Sequence, residues 1–104
     1  MKPLRRTGKS DRAKTIRALD ALWGQTVYAT YGHVCKFRGV GGMRCGGPLQ
    51  AHHIFGKGAF PRLRYTIENG LPICAAHHRF ALHGGYPASV VSGWLANACG
   101  AERL

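Results

Sequence analysis

Chemistry is concentrated in the middle of this 104-residue chain, where five of the six histidines lie between positions 52 and 83. Two sets of side chains can be separated there. The first is Cys35, Cys45 and the pair in Cys74-Ala75-Ala76-His77, four soft or borderline donors of the kind tetrahedral zinc takes. Cys-x-x-His is a compact metal knuckle. The other half is looser, since nine residues separate Cys35 from Cys45, where a tight knuckle has two to four. Buried free thiols without metal are the competing account. The second set is His52-His53, Asn69 and His78, with His83 five residues further on. Glu68 is the one acid in that stretch, so imidazole must carry any chemistry performed there. Neutral imidazole binds divalent cations and titrates near neutrality, so one ring can hold a metal while another takes a proton from water.

Positioning these groups requires short elements. Residues 50–54 read as a strand bearing the histidine pair, and 55–62 as a loop. Leu63, Tyr65 and Ile67 alternate as an extended segment would, and 71–73 could continue it, with Pro72 confining it to an edge. Residues 75–83 can be helical. A further helix over 87–99 carries Val90, Val91, Trp94, Leu95 and Ala98 on one face before Gly100 stops it. Cys99 continues that stripe and is predicted to be core. Between Cys35 and Pro48 five glycines signal a turn-filled insert, whose Lys36, Arg38 and Arg44 could contact a polyanion or merely be solvated. Upstream, Ser10 can cap a helix over residues 10–32, because Ile16, Leu19, Trp23, Val27 and Tyr31 share one stripe and Gly32 suggests its end. Gly24 weakens that helix. Residues 1–9 read as a flexible basic arm.

Length allows one domain with a modest core. Fifteen Lys and Arg against four acids give a formal charge of +11, which points to a polyanionic partner, nucleic acid first. Seven of those fifteen cations fall within the first seventeen positions. No apolar run of signal-peptide or membrane-spanning length occurs, so a cytoplasmic protein without membrane contact is expected, and a reducing compartment favours metal ligation over disulfides.

The order Ala51-His52-His53-Ile54, Leu63-Arg64-Tyr65, Glu68-Asn69-Gly70-Leu71 and Cys74-Ala75-Ala76-His77-His78-Arg79 resembles the HNH endonucleases, over roughly residues 33–97. A Pro-led helix with a Trp after the last histidine is similar to the tail of small phage-borne members. The resemblance implies an α+β, ββα-metal fold stapled by structural zinc, flanked here by N- and C-terminal helices, with residues 33–104 as the nuclease domain. It further implies that His53 is the general base, that Asn69 braces the loop orienting it, and that His52 and His78 hold a catalytic divalent metal such as Mg²⁺, Mn²⁺, Ni²⁺ or Zn²⁺. The product ends would be 5′-phosphate and 3′-hydroxyl, and the substrate double-stranded DNA. Lys2, Arg5, Arg6, Lys9 and Arg12, with Arg62, Arg64 and Arg79, are the cations expected to meet phosphate. A bacterial host cell and phage packaging proteins as partners follow from the same resemblance.

The chain departs from the family pattern in three places. His77 stands where the knuckle usually has a second cysteine. His83 follows His78 by five residues rather than four, which places Leu82 at the expected ligand position and leaves His83 in question. The glycine-rich insert is the third. There is also a geometric demand, because neighbours on a regular strand face opposite sides, so the strand must bend or end at His52-His53 for both rings to serve one phosphate. Two alternatives use the same residues: a catalytically silent zinc-ribbon DNA-binding module, and a nuclease subunit active only inside a phage DNA-packaging assembly.

Overall fold

The computed structural model describes residues 5–100, with side chains from Ser10 onward. Its first element, α1, runs over Arg5–Tyr31. Gly32 ends it with φ 96°, donating its N–H to the Tyr28 carbonyl at 2.8 Å. The start lies five residues before the expected Ser10 cap. Once a helix is nucleated, each added residue gains a hydrogen bond, and the sequence 5–9 contains nothing worse for a helix than Gly8. Of the arm expected over 1–9, residues 5–9 are therefore helical, and residues 1–4, Lys2 among them, lie outside the described residues.

Strands β1 (Leu49–His53) and β2 (Gly70–Cys74) form an antiparallel pair in which His52 faces Leu71 and His53 faces Gly70. The extended segment expected through Leu63, Tyr65 and Ile67 is instead two 3₁₀ turns, Pro61–Leu63 and Ile67–Asn69. Among the described strands β2 is the partner of β1, so residues 63–67 have no ladder to join and close on themselves through local i→i+3 bonds. After β2 the chain turns into α2 (Ala75–His77) and then a π turn, His78–Leu82. α3 spans Ala88–Cys99 and stops at Gly100, φ 83°.

Phe37, Leu71 and Ile73 are fully buried and, with Cys35, Cys74, Ala81 and Cys99, form the core. Trp94, Leu95 and Ala98 of α3 cover it, whereas Val90, expected on the same face, is exposed. Cys99 is core, as its place on the stripe predicts. Large side chains contribute about 1.5–3 kcal/mol each when buried, and so few of them make the core small. Trp23 and Val27 anchor α1 on the sheet. Contact is that close because residue 70 is glycine: a Cβ there would overlap the branched methyls of Val27. No described helix is long and apolar enough to cross a membrane.

Candidate functional site

The insert after α1 and the knuckle after β2 meet at one point. Cys35, Cys45, Cys74 and His77 place their ligand atoms within 4.8 Å of one another, a group that could hold a metal ion. His77 Nδ1 is 3.7 Å from the sulfurs of Cys35 and Cys45 and 3.2 Å from that of Cys74. A tetrahedral zinc separates sulfur and nitrogen ligands by roughly 3.6 Å, given bonds of about 2.3 and 2.1 Å, so the donor set fits zinc in both type and span. Backbone bonds from Ala75 N–H to Pro48 O and from Ala76 N–H to Gly46 O draw the insert onto α2. The nine residues between Cys35 and Cys45 are accommodated by a 3₁₀ turn, Val40–Gly42, with Gly39 before it and Gly41 and Gly42 within it at positive φ.

Electrostatics point the same way. Burial would raise the Cys74 thiol, but the backbone N–H groups of His77 and Gly46, together with the His77 side chain and the Cys35 thiol, outweigh it and bring its pKa to about 6. Cys45 is pushed up to about 11, by desolvation first and then by the neighbouring Cys35 and Cys74 sulfurs. One thiolate forms readily and the next is opposed, the situation a bound cation reverses. His77 Nε2 is buried with no hydrogen-bond partner among the described residues, which leaves Nδ1 as the working end of the ring.

A second gathering involves His52, His78 and His83. The rings of His52 and His78 lie 5.1 Å apart between centroids, and those of His78 and His83 4.8 Å. The five-residue interval from His78 to His83 spans the π turn, whose i→i+5 pitch brings residues five apart onto one face as an α-helix does for four. His83 therefore adjoins His78 despite its spacing. His78 stands between the other two rings, and among the described residues the Cys₃His set is the group whose ligand atoms are gathered closely enough to hold a metal. Desolvation, then the nearby His78, His83 and His53, lower His52 to about 4, and burial followed by His83 lowers His78. Both rings are thus held neutral at neutral pH.

His53 closes β1 on the other side. Its Nε2 donates to the Arg64 carbonyl at 2.8 Å, and its ring stacks on Trp23 with centroids 3.9 Å apart and planes 6° from parallel. A carbonyl can only accept, so the neutral ring carries its proton on Nε2 and keeps Nδ1 as acceptor. Burial, assisted by Lys57, holds this histidine below its usual pKa against the opposing pull of the Arg64 carbonyl. The strand ends at His53, and His52, His53 and His78 line one cleft together with Gln50, Ala51, Gly56 and Lys57. Both histidines lie inside the paired strand, opposite Leu71 and Gly70, and both border this cleft. Asn69, 4 % exposed, ties the intervening loop at two points. Its Oδ1 accepts from Phe55 N–H at 2.8 Å, and its Nδ2 donates to the carbonyls of Phe55 and Leu63 at 3.0 and 3.1 Å.

The expected phosphate-contacting cations divide. Arg12, Arg62 and Arg79 are exposed, as are Lys36, Arg38 and Arg44 of the insert. The side chains of Arg5, Arg6 and Lys9 lie outside the described residues. Arg64 is not a free cation: it binds the Asp20 carboxylate at 2.9 to 3.2 Å and holds that acid below the usual carboxylate value. Trp23 and Asp20 were not foreseen as neighbours of the histidines. No family model, curated protein or solved structure matches this chain.

Proposed function

We propose that this chain is a metal-dependent DNA endonuclease of the HNH kind, with a structural zinc on Cys35, Cys45, Cys74 and His77. His53 is its general base, and His52, His78 and His83 hold its catalytic divalent metal. The observation that carries this reading is the environment of His53. A histidine with Nε2 committed to a carbonyl and Nδ1 left as acceptor stands beside two neutral histidines in one cleft, at the end of β1 where the following loop is braced by Asn69. Formal charge of +11 supplies the affinity for DNA.

A divalent metal bound at the histidines would supply Lewis-acid stabilisation of charge on the phosphate and on the departing 3′ oxygen. Everything else falls to the chain. His53 Nδ1 takes the proton of a water whose oxygen forms a bond to phosphorus, while the bond from phosphorus to the 3′ oxygen breaks and that oxygen takes a proton from solvent to leave as the 3′-hydroxyl. Neutrality of His52 and His78 lets their rings act as ligands without first losing a proton. Asn69 keeps the loop from drifting, and Lys57 brings a cation to the cleft wall.

The test is nicking of supercoiled plasmid by purified protein with Mg²⁺, Mn²⁺ or Ni²⁺, beside a His53→Ala variant. Cleavage should fall by roughly two or more orders of magnitude in the variant, with zinc content and duplex affinity retained. Duplex binding without nicking by the parent would instead favour a silent zinc-ribbon binding module, and equal nicking by parent and variant would remove His53 from the mechanism.

A further inference from the structure

A general base must be fixed in plane, in direction and in tautomer, and at His53 all three constraints trace to one turn of α1. Trp23 lies flat on the imidazole at 3.9 Å and 6°. It is itself immobilised, being 5 % exposed and donating Nε1–H to the Thr66 carbonyl at 2.9 Å. Direction and tautomer come from the Arg64 carbonyl that accepts from Nε2. That carbonyl sits on the loop between β1 and β2, and the Arg64 guanidinium ties it to Asp20 by three hydrogen bonds, Nε and one terminal nitrogen to Oδ1 at 3.2 and 3.1 Å and the same nitrogen to Oδ2 at 2.9 Å. Asp20 and Trp23 are three apart and share a face of the helix. Glycine at 70 lets that face come down on β2 directly opposite His53.

We infer that α1 is the positioning element of the active site, with Trp23 setting the plane of the His53 ring and Asp20, through Arg64, holding the carbonyl that fixes its tautomer. The inference rests on the nuclease reading above and adds to it two positioning residues outside the stretch that resembles HNH enzymes. A packing role for Trp23 would require only apolar bulk. Here the indole also spends its N–H on the loop that carries the hydrogen-bond acceptor of the base, and its face on the base itself.

The experiment compares zinc-loaded full-length parent, Trp23→Leu, Trp23→Phe and Asp20→Asn in steady-state plasmid nicking, and records long-range ¹H–¹⁵N imidazole spectra with His53→Ala for assignment. Trp23→Leu should lower kcat by roughly ten- to a hundredfold at unchanged KM and zinc content, with His53 passing from a single Nε2–H tautomer to a mixture. Trp23→Phe, which keeps a stacking face, should recover most of the rate. Asp20→Asn should show a smaller kcat loss of the same kind. Asp20 has a side chain 36 % exposed, so this variant decides the question should Trp23→Leu fail to fold. Folded variants that cut at the parental rate and keep one tautomer overturn the inference, and so does a loss in a folded variant that arrives as raised KM or lost zinc. A parent that cuts nothing defeats the nuclease reading instead, and the spectra alone then decide whether α1 holds the ring.

Discussion

A histidine ligates a cation or accepts a proton only as the neutral ring, and the fold keeps His52 neutral by burial and by the neighbouring rings, at a pKa of about 4. That has a consequence for stability. In the metal-free histidine cluster the unfolded chain titrates His52 near 6.5 and the folded chain near 4, so between those values the unfolded state binds the extra proton. The His52 contribution is complete above about pH 6.5 and is lost as pH falls toward 4, amounting to at most about 3 kcal/mol. His52→Gln has no such dependence. Urea unfolding of the zinc-loaded proteins at pH 7 and pH 5 should therefore show the parent losing more stability than the variant, and equal losses would mean that the ring is solvated. At this scale the sequence was a good guide where residue type decides the chemistry. Cys35, Cys45, Cys74 and His77 are donors wherever they meet, and their types suggested that they meet. Trp23 and Asp20 were not legible, because a tryptophan on an apolar stripe is accounted for by a core, and the partners of both lie 30 to 44 residues away.

Among elements, the π turn His78–Leu82 does what spacing alone argued against, since it sets His83 beside His78 across five residues. Such turns cost hydrogen-bond geometry and recur at functional sites. Its exit depends on Gly84, where a Cβ would run into the Phe80 carbonyl. Backbone is a neighbour that cannot step aside. Gly84→Ala should therefore displace His83 while leaving the Cys₃His group intact. The divalent metal concentration for half-maximal nicking should rise about tenfold or more, zinc content should stay at the parental level, and unchanged metal dependence would take His83 out of the ligand set. The segment expected to be extended through Leu63 to Ile67 forms 3₁₀ turns instead for a separate reason. Alternating apolar residues fit a strand, but they also fit 3₁₀ turns whose apolar side is held by tertiary bonds, here from Trp23 to Thr66 and from Asn69 to Leu63. Periodicity carries no trace of those bonds. Both ends named by glycine, Gly32 and Gly100, were correct because a left-handed φ stops a helix whatever packs around it.

For the whole molecule two features act at a distance from the cleft. One is the Cys₃His group, which with a metal bound would fasten the insert after α1 to α2 across a core of few large side chains. About one tightly held zinc per chain is expected, and because metal binding contributes directly to folding in so small a domain, chelation or His77→Ala should release it and lower the thermal midpoint together. A stably folded preparation without zinc would remove the staple. The other is α1, which at 27 residues is about 40 Å long in a molecule of extents 60 × 28 × 27 Å. Trp23 and Val27 anchor its second half, whereas Arg12, Lys14 and Arg17 of its first half are exposed. Deleting residues 1–9 removes Lys2, Arg5, Arg6 and Lys9 and leaves the anchor untouched. Each phosphate neutralised contributes about 0.9 to the log-log salt dependence of DNA binding. The truncated protein should bind every duplex more weakly, with a slope shallower by up to about three to four units if all four cations reach phosphate, and should retain its kcat once saturated. Trp23→Leu should do the reverse, losing kcat while keeping affinity and slope. An unchanged slope on truncation would mean that these cations do not reach DNA, and a truncation that lowers kcat would mean that the helix cannot be divided into a part that meets DNA and a part that holds the base.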